Sequence, residues 1–97
     1  MMREGATVKP RRQAYGTKNI CGANIERIRK QQGMKQSTLV AKMQLAGVDI
    51  NPSSLSKLEG QIRVASDIEL KVIAKIFNVP MEALVRDLTD ENDETPD

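Results

Sequence analysis

Asn51-Pro52-Ser53-Ser54-Leu55-Ser56-Lys57-Leu58-Glu59-Gly60 spells out a short helix together with both of its ends. Asn51 is a strong N-cap, and Pro52 occupies the first turn, where a missing N–H costs nothing. Gly60 ends the run. Leu55 and Leu58 are the only side chains with an apolar face to bury, and Ser53, Ser54 and Lys57 lie on the opposite side.

Working outward, the flanking segments read as helices too. Ile25 and Ile28 share one face of a helix from about Gly22 to Gln32, stopped by Gly33 as a left-handed residue. Leu39, Val40 and Met43 mark a second helix, about Gln36 to Leu45, closed by Gly47. Beyond Gly60, Ser66-Asp67-Ile68-Glu69 is a capping box: Ser66 caps and Glu69 reaches back. The fourth helix it opens runs to Phe77, with Ile68 or Leu70, then Val72, Ile73, Ile76 and Phe77 facing inward and Asn78 as the terminating residue. Pro80 starts a last helix through Met81, Leu84 and Val85. No stretch alternates with a period of two over a strand's length. The expected fold is all-α, a compact bundle of about five short helices with flexible tails.

Composition agrees. The 97-residue chain has ordinary hydrophobic and charged fractions but only 2% aromatics, Tyr15 and Phe77. A core of Ile, Leu, Val, Met and Ala suits a small helical bundle better than a β-sandwich. The net charge of +2 conceals an uneven distribution. Residues 1–19 carry five basic side chains against one acidic and read as a basic, flexible arm. Residues 89–97, TDENDETPD, read as an acidic disordered tail, which leaves 20–88 as the folded domain.

Most chemistry is excluded early. The chain has no His and a single Cys, which removes His-based acid–base catalysis, a His/Cys zinc site and an internal disulfide. Ser54-Leu55-Ser56-Lys57 fits the S-x-x-K pattern of lysine-assisted serine hydrolases but lacks its companion S-D-N and K-T-G elements. Glu59, Asp67 and Glu69 are spaced for capping and ion pairing, Cys21 has no activating neighbour, and phosphate-cradling glycine loops are absent. Neither an enzyme, a cofactor, a metal nor a small-molecule ligand is expected. No apolar run approaches the ~18 residues of a membrane span, and no signal-peptide core is present, so a reducing, cytoplasmic setting is expected.

The polar face of Pro52–Glu59 admits two readings. In the plain one it is simply solvated. In the other, small hydroxyls with one long cation suit insertion into a DNA major groove, where Ser and Lys hydrogen-bond base edges that bulky apolar residues would block. Helix N-termini also hold phosphates through their free N–H groups.

The whole stretch from Ile25 to Leu84 resembles the Cro/C1-type (Xre) helix-turn-helix family of bacterial and phage transcription regulators. The resemblance rests on Ile25, Ile28 and Arg29, then Gly33, Gln36 and Leu39, then Leu55-Ser56-Lys57-Leu58-Glu59 and Arg63, and finally Leu70 through Ala74, Phe77-Asn78-Val79 and Leu84. It implies a lambda-repressor-like domain that binds double-stranded DNA sequence-specifically, and so represses or otherwise regulates transcription by occupying an operator. On this resemblance Gln36 contacts the phosphate backbone and buttresses the recognition helix. Ser53, Ser54 and Lys57 face the DNA, with Asn51 and Pro52 at the helix tip. Arg29 and Glu59 match a structural ion pair joining the first helix to the third, which argues against Arg29 as a DNA contact.

Three features depart from the family pattern. Lys35 stands where a Ser or Thr usually caps the second helix, trading the cap for another phosphate contact. Val40 replaces a small Ala at the crossing of helices two and three, predicting a wider spacing. The connection Gln44–Asn51 is longer than the family turn and is expected to extend the second helix and loop back, with Val48 and Ile50 tucked into the core.

Other cations divide between roles. Arg63 reaches either a phosphate or the carboxylates of Asp67 and Glu69, and Lys42 is as readily a solvated lysine. Lys71 and Lys75 read as a soluble face. Lys9-Pro10-Arg11-Arg12 fits a minor-groove arm or a solubilising tail, and the acidic tail either screens the basic surface or is plain solvated chain. One recognition helix reads only a few base pairs, so useful specificity needs a homodimer or a partner, with pairing through Met81, Leu84 and Val85 as the candidate. The rival reading is a protein-interaction helix-turn-helix module, antitoxin-like or an adaptor, which predicts an exposed apolar patch and little autonomous DNA specificity.

Overall fold

A computed structural model of the chain describes residues 16–86. Lys9-Pro10-Arg11-Arg12 and the acidic segment 89–97 lie outside the described residues. Five α-helices follow one another: α1 (Gly22–Gln31), α2 (Gln36–Leu45), α3 (Pro52–Glu59), α4 (Asp67–Phe77) and α5 (Glu82–Val85). The described residues contain no strand, so the fold is all-α, as the sequence predicts. α1 packs on α3, α4 and α5, α2 on α3 and α4, and α4 on α5.

Burial follows the helical spacing. Ile25 and Ile28 of α1, Leu39, Val40 and Met43 of α2, Leu55 and Leu58 of α3, Ile73, Ala74 and Phe77 of α4, and Leu84 of α5 form one core. Of the two residues the sequence offers at the start of α4, Leu70 turns inward and Ile68 stays 65% exposed; Ala74, not marked by the helical pattern, is also a core residue. In α5 only Leu84 is buried, while Met81 and Val85 stay partly exposed.

The helix ends are built from the residues that the sequence marks. Asn51 Oδ1 accepts from Ser54 N at 2.8 Å, and both halves of the Ser66–Glu69 capping box form. Gly33 (φ 67°), Gly47 (φ 94°) and Asn78 (φ 60°) supply left-handed residues after α1, α2 and α4. After α3 the pattern shifts by one position. Gly60 is still right-handed, and Gln61 takes the left-handed conformation (φ 63°). Gln61 N then bonds Leu58 O and Ile62 N bonds Lys57 O, satisfying carbonyls the helix would otherwise leave open. The strain of a side chain at positive φ is offset because Gln61 Nε2 also donates to Asn19 O at 2.8 Å.

That contact belongs to a strap preceding α1. Gly16 N donates to Gly60 O and Lys18 N to Gln61 O, both at 2.9 Å. Asn19 uses its whole side chain: Oδ1 accepts from Cys21 N and Gly22 N, and Nδ2 donates to Leu58 O and Arg63 O. Residues 16–19, grouped with the arm on charge alone, are therefore bound to the end of α3. At the other pole, buried Asn24 donates to Leu84 O and Arg86 O and holds the four-residue α5 against α1.

The long connection behaves as expected at its two apolar positions: Val48 and Ile50 are 8% and 3% exposed. Gln44 Nε2 donates to Ile50 O at 2.8 Å, tying the connection back onto α2. α2 itself ends at Leu45 without extension.

Candidate nucleic-acid interface

The geometry of α3 is fixed from beneath by a buried polar cluster. Arg29 Nε and Nη2 donate to the two oxygens of Glu59 at 2.7 and 3.0 Å, a bidentate pair. Both residues are buried, Glu59 to 1% exposure. Arg29 Nη1 goes on to Met34 O at 2.8 Å, reaching the turn between α1 and α2. Gln36 completes the cluster, donating from Nε2 to Glu59 Oε1 at 2.9 Å. One carboxylate thus gathers α1, the start of α2 and the end of α3, and both of its oxygens accept, from three donors in all.

With Leu55, Leu58 and Glu59 turned inward, the outward side of α3 is left to Ser53, Ser56 and Lys57, all exposed. Ser54 sits half-buried at the edge, its backbone N–H held by Asn51. Asn51 Oδ1 is committed to that cap, which leaves its amide N–H₂ free to face outward. Lys35 is exposed at the start of α2 and provides no side-chain cap there, as its chemistry dictates. Lys42 is exposed as well.

Ser56 is the residue that the sequence reading passed over. Its Oγ donates to Gln36 Oε1 at 3.3 Å, so Gln36 bridges the buried carboxylate and the exposed hydroxyl. Helical spacing carried the signal, since Ser56 lies three residues after Ser53 and between the two buried leucines. The bridge places the start of α2 beside the middle of α3, so Lys35, Gln36, Ser53, Ser56 and Lys57 belong to neighbouring turns.

Electrostatically this surface is one-sided. From Gly33 to Gly60 the chain has three cations, Lys35, Lys42 and Lys57, and two carboxylates, Asp49 and Glu59. Glu59 is buried and neutralised by Arg29, so the exposed parts of α2 and α3 present cations, hydroxyls and amides with no exposed carboxylate on either helix.

Arg63 takes the internal alternative. Its Nη1 and Nη2 donate to the two oxygens of Glu69 at 3.1 and 2.9 Å, Nε donates to Ser54 O at 3.0 Å, and Nη1 also reaches Val64 O. Four of its five N–H groups are thereby occupied, and the guanidinium serves as a brace between α3 and the start of α4. Asp67 takes no part in this pair. Burial alone would raise the Glu69 carboxyl, but the hydrogen bonds from Arg63 and Ser66, with the Arg63 charge, hold it below its ordinary value of 4.5.

A depressed carboxyl in the folded state means that the unfolded chain binds the proton more readily. The stabilisation is complete above the unfolded value and lost as pH falls through the folded one. Glu69→Gln is therefore expected to be less stable than the parent at neutral pH, with the difference shrinking between about pH 5 and pH 3. Urea unfolding at a series of pH values reads this directly. A difference independent of pH would mean that Glu69 acts through shape and neutral hydrogen bonds alone.

Cys21 is buried in the core, where desolvation raises its thiol, as fits a small packing residue. Among the described residues no group of three or more His, Cys, Asp or Glu side chains is arranged to hold a metal ion, and no helix is long and apolar enough to cross a membrane. Compared with known proteins, the chain matches no family model, no curated protein and no solved structure.

Proposed function

We propose that this protein is a sequence-specific double-stranded-DNA-binding transcription regulator of the Cro/C1 helix-turn-helix kind, acting by occupying its site rather than by chemistry. The observation that carries the reading is the Gln36 bridge. It locks a short helix against its predecessor by contacts from below, while the upper face of that helix keeps Ser53, Ser56 and Lys57 exposed and free of carboxylates. A helix held in this way can enter a major groove as a rigid body, with Lys57 and the serines at base edges. Lys35 and Gln36 are then positioned for the flanking phosphates, which supply affinity but not sequence choice.

The test is selection of the purified protein against randomised duplex DNA at about 150 mM salt, which screens non-specific phosphate contacts. An enriched motif is expected. Lys57→Ala is expected to relax preference at one or two positions, each good base contact being worth about 1–3 kcal/mol. Lys35→Ala is expected to weaken binding to all sequences alike and to flatten the salt dependence. Selection without enrichment would overturn the reading.

One observation favours the second reading, a protein-interaction module. Leu45, Ile62, Val64 and Ile68 are each more than half exposed. Such a module would show the same α3 surface but no enriched motif.

A further inference from the structure

Two surfaces of the fold present cations without an ion-pair partner among the described residues. One is on α4, where Lys71 and Lys75 flank a groove lined by Ile68, Val72 and Ile76. That groove calls for an apolar occupant, and its helix also carries Asp67 and Glu69. The other is a track across the end and the outward face of α3.

Contacts between neighbouring elements assemble the track. Lys18 N is bonded to Gln61 O, which sets Lys18 beside the end of α3. Ile62 N bonds Lys57 O one turn back, and the Ser56–Gln36 bridge leads on to Lys35 at the start of α2. Lys18, Lys57 and Lys35 are all exposed, and none makes an ion pair among the described residues. Over residues 16–22, 33–45 and 52–62 the only carboxylate is Glu59, which is buried and paired with Arg29. Cations grouped in this way, with no exposed acid among them, draw an anion.

The chain itself supplies one. Residues 87–97 hold six carboxylates and no cation, with Leu88 their only large apolar side chain. That composition suits the lysine track and not the α4 groove. The starting point of the segment is fixed: Asn24 Nδ2 holds Arg86 O at 2.7 Å, and two residues before Asn24, Gly22 lies against the carbonyls of Leu58 and Glu59. The acidic segment therefore leaves the fold at the pole where α1 begins and α3 ends. Its residues span up to about 36 Å when extended, against about 12 Å for the whole length of α3. Lys18, Lys57 and Lys35 all lie within that reach.

We propose that the acidic segment 87–97 docks along the Lys18–Lys57–Lys35 track, so that the chain carries its own competitor for the outward face of α3. That DNA is what displaces it rests on the DNA-binding reading; the docking itself does not. Each exposed ion pair is weak, but attachment through Arg86 makes the encounter intramolecular, at an effective concentration on the order of mM. The contact is electrostatic and fades as the Debye length falls from about 10 Å at 0.1 M salt to about 3 Å at 1 M.

A nitroxide on Thr95→Cys of the full chain tests the docking by nuclear magnetic resonance, since Cys21 is buried and leaves the new thiol to take the label. At about 50 mM salt the amide signals of Lys18, Ser56 and Lys57 should fall at least about twofold, and they should recover at about 1 M. Recovery is also expected in a Lys18→Glu, Lys57→Glu double variant, whose circular dichroism should remain that of the parent because both positions are exposed. With duplex DNA of random sequence as the probe, converting the six carboxylates to amides should tighten binding about three- to tenfold at about 50 mM salt, a gain that shrinks as salt rises.

Unchanged signals at Lys18, Ser56 and Lys57 overturn the proposal. So does a loss of signal that falls instead on Lys71 and Lys75 or on the basic arm, or one that persists at about 1 M salt. The DNA titration decides the other question separately. Docking in a chain that binds no duplex, or whose affinity the amides leave unchanged, keeps the contact and overturns the DNA-binding reading of α3.

Discussion

Replacing Glu59 with Ala is expected to cost about 3–5 kcal/mol, because it leaves the buried Arg29 guanidinium without a counter-charge. A domain of this size has about 0.05–0.15 kcal/mol of stability per residue, or about 3.5–10.5 kcal/mol in all, so the loss is a large fraction of the folding free energy. Each kcal/mol moves the melting temperature of a domain this small by about 4–8 °C, which makes the expected fall about 12–40 °C. The penalty comes from breaking the pair rather than from the worth of the pair. Putting Met at 29 and Leu at 59 together removes both charges and should recover much of the loss. Thermal unfolding of the single and double variants gives the comparison. A single-variant cost below about 1 kcal/mol would show that water reaches Arg29 in solution. Glu59→Ala also takes the acceptor from Gln36, so, on the proposed DNA-binding reading, a folded remnant should lose DNA affinity beyond what its stability explains.

Gly22→Ala should be strongly destabilising for so small a change. Helix propensity alone favours Ala over Gly by about 1 kcal/mol within a helix. Here a methyl group would overlap the Leu58 carbonyl oxygen and stand 2.8 Å from that of Glu59. These are backbone atoms at the end of α3, and they can yield only if α1 and α3 part. Separation would stretch the Asn19 bonds to Leu58 and Arg63 and the Arg29–Glu59 pair together. Overpacking of this kind typically costs about 1–3 kcal/mol and occasionally more. The control is Gly60→Ala, where the nearest atom to the added carbon is Ser56 O at 3.3 Å. Denaturant midpoints for both variants should differ clearly; equal midpoints would mean that α1 and α3 separate at little cost.

These two positions show what the sequence states openly and what it conceals. The limits of α2 and α3, the Asn51 cap and the Ser66–Glu69 box were readable because each depends on residues within about four positions of one another. The burial of Val48 and Ile50 was readable as well, from two apolar residues in a polar connection. The role of Asn19 was not, since its partners lie 39 and 44 residues away and an Asn in a polar segment looks like any other. Arg63 showed the same difficulty in another form. Its position past α3 allowed a phosphate or a carboxylate, and only the fold brings Glu69 and the Ser54 carbonyl within reach together. The choice between Ile68 and Leu70 stayed open in the sequence because a capping box fixes where α4 begins but not which way its first apolar residue turns.

For the candidate interface, side-chain chemistry was legible and its arrangement was only half so. Ser53 and Lys57 follow from the burial of Leu55 and Leu58. Ser56 emerges from its bond to Gln36, a contact between two helices that no single-helix pattern encodes.

The connection between α2 and α3 carries a consequence for how such a domain can change over generations. Lengthening a surface loop costs little, about 0.6 kcal/mol for each doubling, so loop length ordinarily drifts without penalty. Here Val48 and Ile50 occupy the core, and the Gln44 side chain holds the backbone that delivers them. A deletion that shortened this passage to a tight turn would withdraw two apolar side chains and open a void in the core. Insertion and deletion at this site are therefore coupled to substitution elsewhere: a descendant with a shorter turn must bring larger residues to the core positions around the void, and the two changes must arrive close together.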